Sequence, residues 1–576
     1  MQLIVKLMPQ NFRHRLRTNM SLSALYTAWL CRVKLHPSVN PKIANTHQFV
    51  AKGDSLYQAC QKHHYSLLEM AKAEKAHKRH VSAVVILFDS SRSDDELENS
   101  INSVTQAEES VEHIIVLCFS AGEKKKLGRI NRRYKQVKII DRNDVRSRRL
   151  PAGFSALLEQ DAQAVFVICH GDLLHPLALI ALNRATLTAD MAYTDVDRID
   201  DGQRYDPAFM PDWNPDLLLS TAYINRAVLL LNPMLQLNEL INCNNSVSEY
   251  IKSTYLNNIY CDIDHIPFIL VHVSSESTPR LAPIDTSIMF ENEHKPLVSL
   301  IIPTYNGVKI LKDCVDSIIK KTTYANYEIC IVNNNSDDPE TLEYLSEIAL
   351  HTKVEVLDFP YPFNYSAINN FAVKRVSGEI IGLINNDIEV ITPNWLQKMV
   401  NHVCREDVGC VGAKLLYSND LVQHAGVVMG YGGGAGHAHK YLPCHRSGYM
   451  QRAVATQNFS AVTAACLLVT RADYDAVGGL NETDLTVAFN DVDFCLSICG
   501  LGKRNVWVAE ALLYHHESIS RGHEDTVEKQ KRFQAEVTYL QTKWDAYIKH
   551  DPAYNPNLTL QYENFSIDEN LKPISL

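Results

Sequence analysis

The sequence predicts an α/β protein built from two tandem, mostly parallel sheet domains of the Rossmann-like kind. Three observations carry this expectation. Short apolar runs rich in β-branched residues alternate with helical segments: "VSAVVILF" (81–88), "EHIIVLCF" (112–119) and "AVFVIC" (164–169), then "LVSLIIPTY" (297–305), "YEICIV" (327–332) and "EIIGLI" (379–384). Continuous apolar runs suit strands covered on both faces, and strand–helix alternation makes their sheet parallel. The same order recurs at nearly constant spacing. Val81 to Asp172 spans 91 positions and Val298 to Asp387 spans 89, each Asp closing an apolar strand shortly before a proline, Pro176 or Pro393. Such recurrence reads as an internal duplication. Finally, Ile310, Leu311, Cys314, Val315, Ile318 and Ile319 fall on one face of a helix directly after the strand at 297–305.

Taken in order, residues 1–80 read as a helical N-terminal segment, 81–271 as the first α/β domain and 272–296 as a polar, proline-bearing linker. Residues 297–522 read as the second α/β domain, and 523–576 as a charged helix and a Pro/Asn-rich tail. The opening "MQLIVKLMPQNFRHRLRTNM" has basic residues but no continuous apolar core with a cleavage site. It reads as an amphipathic surface helix, not a signal peptide.

The chain has 576 residues, 46% hydrophobic and 21% charged, with a net charge of −10. An acidic balance of this kind argues against a nucleic-acid partner. Lys and Arg do cluster at 124–149, which reads as a solvated helix face, with contact to anionic lipid head groups as the alternative. Fourteen cysteines without a CxxC pair fit reduced thiols and a cytoplasmic setting. There is no apolar run long enough for a membrane span.

In open α/β sheets, ligands bind at the carboxyl ends of the strands. Polar residues collect at three such ends in the second half: Tyr305 and Asn306 after "PT", Asn333 to Asp338 in "NNNSDD", and Asn385, Asn386, Asp387 and Glu389 in "NNDIE". One polar strand end is ordinary turn chemistry. Three on one edge make a nucleotide-sized crevice. A diphosphate there calls for a hard divalent cation held by one or two carboxylates. Asp387 is the natural ligand, with Glu389 placed on the same side if strand alternation continues. Asp491 and Asp493 open a helix that Asn490 is positioned to cap. His515 and His516 follow another apolar strand and could supply a further metal ligand. The stretch "GYGGGAGHAHKY" (430–441) lacks the GK[ST] ending of a P-loop and reads as a lid or acceptor loop.

Six motifs then resemble one family in the right order: "VSLIIPTYNG", "YEICIVNNNSDDPETL", "FNYSAINNFAV…SGEIIGLINNDIEV", "VGAKLLY…QHAGVVMG", "AACLLVTR…VGGLNE" and "FNDVDFCL…YHHESISRG". From about 297 to 522 the chain resembles inverting glycosyltransferases of family two, with the GT-A fold. Look-alikes include tandem-domain, rhamnosyltransferase-like enzymes of bacterial surface polysaccharide (O-antigen) assembly. The resemblance implies a nucleotide-sugar donor (UDP- or dTDP-sugar), Mn2+ or Mg2+, and a glycan or lipid-linked glycan acceptor. It also implies a cytoplasmic location, with peripheral contact at the cytoplasmic face of the inner membrane.

Carried onto this sequence, the resemblance makes Asp491 the general base and Asp387 a metal ligand, with His516 or its neighbour His515. It places Pro303, Tyr305, Asn306, Asn333, Asn335, Asn370, Asn385 and Asn386 around the nucleotide-sugar. Asp493, Cys466 and His437 fall on the acceptor side. Asn385 and Asn333 are amides where the family usually has acids. The first domain resembles the family more weakly. "CHGDLLHP" retains only Asp172 of the acid cluster and "LFDSS" replaces "PTYN", although Asp195 and Asp197 keep an acidic pair. The expectation is a degenerate first domain and an active second one. The alternative is a nucleotide-sugar-binding or scaffold protein whose transferase site has decayed.

Overall fold

A computed structural model of the chain describes residues 50–73, 79–146, 163–274, 290, 294–516, 526–574 and 576. The expected N-terminal surface helix and the last part of the sixth motif, 517–522, lie outside the described residues, as do 147–149 of the basic cluster. Two compact units are present. One takes Gln48–Ala282 with Tyr554–Thr559 and Ile567–Leu576; the other takes Pro283–Ala553 with Leu560–Ser566. The Pro/Asn-rich tail is thus not a loose end: Tyr554, Asn555, Asn557, Leu558 and Thr559 are buried.

The first unit carries β1 (His80–Leu87), β2 (His113–Cys118), β3 (Val137–Asp141), β4 (Gln163–Cys169), β5 (Leu173–Leu174), β6 (Met191–Asp200), β7 (Gln203–Ala208), β8 (Val228–Leu230) and β9 (Asp264–Ser274). Their order in the sheet is β3-β2-β1-β4-β8-β6-β9-β5, with β7 on β6. The strands β1 to β4 pair in parallel, as their apolar runs require.

The second unit carries β10 (Val298–Thr304), β11 (Tyr327–Asn333), β12 (Val354–Asp358), β13 (Ile380–Ile384), β14 (Ile388–Val390), β15 (Val408–Leu416), β16 (Val422–His424), β17 (Val427–Met429), β18 (Ala435–His437), β19 (Gln457–Phe459), β20 (Cys466–Thr470) and β21 (Arg504–His515). Its sheet runs β12-β11-β10-β13-β20-β15-β21-β14, with β16 on β15 and β19 on β21. Position by position this is the order of the first sheet, with β10 in the place of β1, β14 of β5, β20 of β8 and β21 of β9. The fold is α/β with two tandem GT-A-like domains, and the duplication read from spacing is a duplication of topology.

Helix Val308–Lys321 follows β10 and buries Leu311, Cys314, Val315 and Ile318 in the core formed with Leu300, Ile302, Ile329 and Ile331. Its amphipathic spacing accounts for that placement. At the centre of the sheet Gly382 lets β13 pack tightly, since a Cβ there would lie 2.7 Å from the Leu300 side chain. The Gly-rich stretch is the turn of a β17–β18 hairpin, with Gly430, Gly432 and Gly433 at positive φ. In the basic cluster, Lys124 pairs with Asp144 and Arg133 with Glu98 inside their own unit.

Candidate active site

In the second unit the parallel register brings three strand ends level. Thr304 lies opposite Asn333, and Asn333 opposite Asp358. Asn386 Nδ2 donates to Thr304 Oγ1 at 3.2 Å, tying the turn after β13 to the end of β10. Asn306, at φ 49°, stitches the first two ends together. Its Nδ2 donates to Asp337 and its carbonyl accepts from the backbone N–H groups of Asp337 and Asp338. Asn333 donates to Asp358 at 2.9 Å, and Asn335 donates to the Tyr361 carbonyl at 3.0 Å. Pro303 sits one residue before the end of β10, and Tyr305 just beyond it is 54% exposed, an open aromatic face at the crevice rim. Asn370 stands apart. It is buried, donates to Leu480 O and Glu482, and accepts from Tyr474 and the Leu480 N–H, so its amide is fully engaged inside the protein.

At the third end the chain turns through Asn386 and Asp387 and then starts β14, which pairs antiparallel with β21 so that Ile388 faces His515. That register puts His515 Nε2 3.1 Å from Asp387 Oδ1. The His515 tautomer follows from its neighbours. Nδ1 faces the Gln423 carbonyl oxygen at 2.6 Å and donates to it, while Asn385 Nδ2 donates to Nε2 at 3.2 Å. Nε2 is therefore without a proton, its lone pair accepting from Asn385, and it lies beside a buried carboxylate oxygen that accepts no aligned hydrogen bond. Asp387 Oδ1 and His515 Nε2 thus face one another as two acceptors at 3.1 Å. Among the described residues no group of three or more His, Cys, Asp or Glu side chains is arranged to hold a metal, so further ligands would come from the bound substrate.

His516 and Glu389 point elsewhere. His516 contacts Glu389 at 3.3 Å and Ser418 Oγ at 2.8 Å, and Glu389 also pairs with Lys321 at 3.0 Å. The His516 hydrogen bond, and then Lys321, hold Glu389 down to about 2. The expectation that Glu389 shares a side with Asp387 fails because Asp387 sits in a turn and strand alternation begins only at Ile388.

Helix Asn490–Cys499 starts without a side-chain cap. Asn490 does not cap it. The preceding Phe489 takes the left-handed conformation at φ 58°, and Asn490 Nδ2 donates to Val487 O instead. Asp491 in the first turn accepts from the Ala464 N–H at 3.0 Å. Burial pushes its carboxyl above the ordinary 3.8, with the Ala464 N–H and the Thr463 hydroxyl opposing.

The three residues expected on the acceptor side divide. Asp493 is buried and consumed by Lys543 Nζ at 2.8 Å and Trp544 Nε1 at 2.7 Å, which fasten the C-terminal helices. Cys466 is fully buried at the start of β20, a core thiol. His437 at the end of β18 is partly exposed, with Nδ1 2.8 Å from Nδ1 of His424. Sequence reasoning assigned no role to Gln423, His424, Thr304 or Thr463. For the first two a signal exists in "LVQHAGVVMG", because an adjacent amide and imidazole inside an apolar strand must find partners once buried.

The first unit offers an internal comparison. Leu173 of β5 faces His272 of β9, just as Ile388 faces His515, so Asp172 occupies the place of Asp387. There the cation is part of the protein: Arg226 Nη1 lies 2.9 Å from Asp172 Oδ1, both side chains being buried. His272 turns to Asp197, which also binds Tyr57 and Arg204 Nε. Asp195 accepts from the Met210 N–H, His265 and Asn555 Nδ2 of the C-terminal tail. The acidic pair is thus spent on internal bonds. Burial pushes the Asp172 carboxyl up, so removing Arg226 leaves a costly orphan charge. Arg226→Met is expected to destabilise the first unit by about 3–5 kcal/mol, and Asp172→Asn in the same chain to recover part of that loss, read by denaturant unfolding.

Comparisons with known proteins bear on the family of the second unit. Residues 299–471 match the family model Glycosyl transferase family 2. An uncharacterized protein, y4gI of Sinorhizobium fredii, is 40% identical over 486 residues, covering 76% of this chain and 53% of that protein. The O-antigen biosynthesis protein RfbC of Myxococcus xanthus is 33% identical over 446 residues, covering 69% of this chain and 34% of its own length. The chain spans about half or less of these relatives. Among solved structures, a mannosyltransferase of Pyrobaculum calidifontis in complex with GDP-Man and Mn2+ aligns at a TM-score of 0.34 and 16% identity, over 49% of this chain and 71% of that one. Within the second α/β unit, residues 299–471 are thus similar to glycosyl transferase family 2.

Proposed function

We propose that the second unit transfers a sugar, with inversion, from a nucleotide-sugar to a hydroxyl of a growing, lipid-linked glycan of the bacterial surface. The facing acceptors Asp387 Oδ1 and His515 Nε2 carry this reading, since they suit a divalent cation that also binds a diphosphate. Mn2+ or Mg2+ held there would neutralise charge on the departing diphosphate. Asn306, Asn333, Asn335 and Asn386 line the adjoining strand ends, with Tyr305 at the rim for the base or ribose of a UDP- or dTDP-sugar. Asp491 takes the proton of the acceptor hydroxyl as that oxygen attacks the anomeric carbon from the face opposite the leaving group. Its raised pKa brings the carboxylate closer to the acceptor in basicity.

RfbC of Myxococcus xanthus is named for O-antigen biosynthesis, and a related polymer is the proposed product here. Among the described residues no helix is long and apolar enough to cross a membrane. Engagement with a lipid-linked acceptor is proposed at the cytoplasmic face of the inner membrane. In the first unit Arg226 takes the cation's place, so one metal–nucleotide site per chain is proposed.

Three outcomes are expected. With purified protein, Mn2+ and a panel of UDP-, GDP- and dTDP-sugars plus acceptor glycan, nucleotide release is abolished by Asp387→Ala and falls at least about 100-fold in Asp491→Asn. Wild-type turnover in both variants contradicts the assignment, and no release from any donor favours a binding protein. The pH profile of kcat/KM has its acidic limb above the ordinary aspartate value of 3.8, because protonation of Asp491 removes the base as pH falls. Gln423→Ala frees the His515 ring and raises the Mn2+ concentration for half-maximal activity by about 10–100-fold.

A further inference from the structure

We infer that His437 is a fixed, neutral hydrogen-bond donor to the acceptor glycan, presenting Nε2–H to a hydroxyl beside the one that Asp491 deprotonates. The inference rests on the transferase reading and adds a specificity element to it. Two linked contacts carry it. The Thr463 N–H donates to His424 Nε2 at 3.4 Å, which makes that nitrogen an acceptor and places the His424 proton on Nδ1. His424 Nδ1–H then donates to His437 Nδ1 at 2.8 Å. With its Nδ1 accepting, His437 keeps its proton on Nε2, the nitrogen with no hydrogen-bond partner among the described residues.

The position follows from the same segment. Thr463 anchors His424 while the next residue, Ala464, holds the Asp491 carboxylate at 3.0 Å. The imidazole pair and the base are thus fixed by adjacent peptide groups. On the strand that supplies His424, Gln423 orients His515. One short element therefore aims an imidazole at the cation site with one residue and an imidazole donor with the next. His424 is fully buried, whereas His437 is partly open to solvent at the hairpin's end. Burial, then Lys440, push the His437 imidazole down to about 3, so the donor is uncharged. A neutral donor binds a hydroxyl without placing a competing positive charge beside the cation site.

The test separates acceptor binding from the rest of the chemistry. His437→Ala should lower kcat/KM for the acceptor glycan about tenfold, the scale of one hydrogen bond. Nucleotide release to water without acceptor, affinity for Mn2+–nucleotide and thermal stability should stay near wild type. His437→Gln, whose amide N–H can stand where Nε2–H does, should recover most of the loss. The idea is overturned if His437→Ala transfers to acceptor at the wild-type rate. It is equally overturned if release to water falls as much as transfer, because that marks a structural role. Nitrogen-15 NMR of histidine-labelled protein gives a readout free of turnover: a protonated Nε2 and bare Nδ1 at His437 support the inference, and the opposite tautomer refutes it. If the wild type releases nucleotide from no donor, the transferase reading itself fails, and the acceptor role falls with it.

Discussion

A single strand pairing organises the second unit's chemistry. After β13 the chain turns through Asn386–Asp387 and returns as β14 against β21, and the register Ile388 to His515 sets an imidazole lone pair against a buried carboxylate oxygen. Neither group has an aligned proton to share. Every neighbouring bond reinforces this: Gln423 takes the Nδ1 proton, Asn385 supplies a weak donor to Nε2, and Asn386 ties the turn to Thr304. Leaving a buried polar atom unsatisfied costs stability, about 1–3 kcal/mol and more if charged. A fold that keeps such an arrangement concentrates that cost at the strand edge where a charged ligand would relieve it.

The first unit shows the same topology with the electrostatic problem solved internally. The carboxylate at the end of β4 remains, but Arg226 neutralises it, and the imidazole opposite binds Asp197 instead. Asn555 from the C-terminal tail completes the hydrogen bonding of Asp195. In one unit the carboxylate is saturated, and in the other the equivalent Asp387 Oδ1 accepts no hydrogen bond among the described residues. This contrast in bonding, within equivalent strand orders, is the physical basis on which the second unit, and not the first, is proposed as the transferase.

Much of this was legible in the sequence. Apolar runs gave the parallel strands because a strand covered on both faces has no polar alternation. Asp387 and Asp491 stood out because they are acids at the ends of buried elements. What stayed hidden depends on partners far apart in the chain. Which of His515 and His516 lies beside Asp387 is set by β14 pairing with β21 across 127 positions, and the contact of Gln423 appears only once His515 arrives beside it. Glu389 was misplaced because alternation was extended through a turn, and Asn490 because a left-handed Phe489 leaves no capping signature. Asn370 carries a motif asparagine yet spends its whole amide on Tyr474, Leu480 and Glu482, which no spacing rule reveals.

The central claim is that Asp387 and His515 jointly receive a divalent cation. Electron spin-echo envelope modulation on Mn2+ bound with UDP tests it most directly. A nitrogen-14 coupling from one directly coordinated imidazole, converted to a nitrogen-15 pattern by histidine labelling and abolished by His515→Ala but not by His516→Ala, is the predicted result. Bound Mn2+ without imidazole coupling, or a coupling that survives His515→Ala, would contradict it.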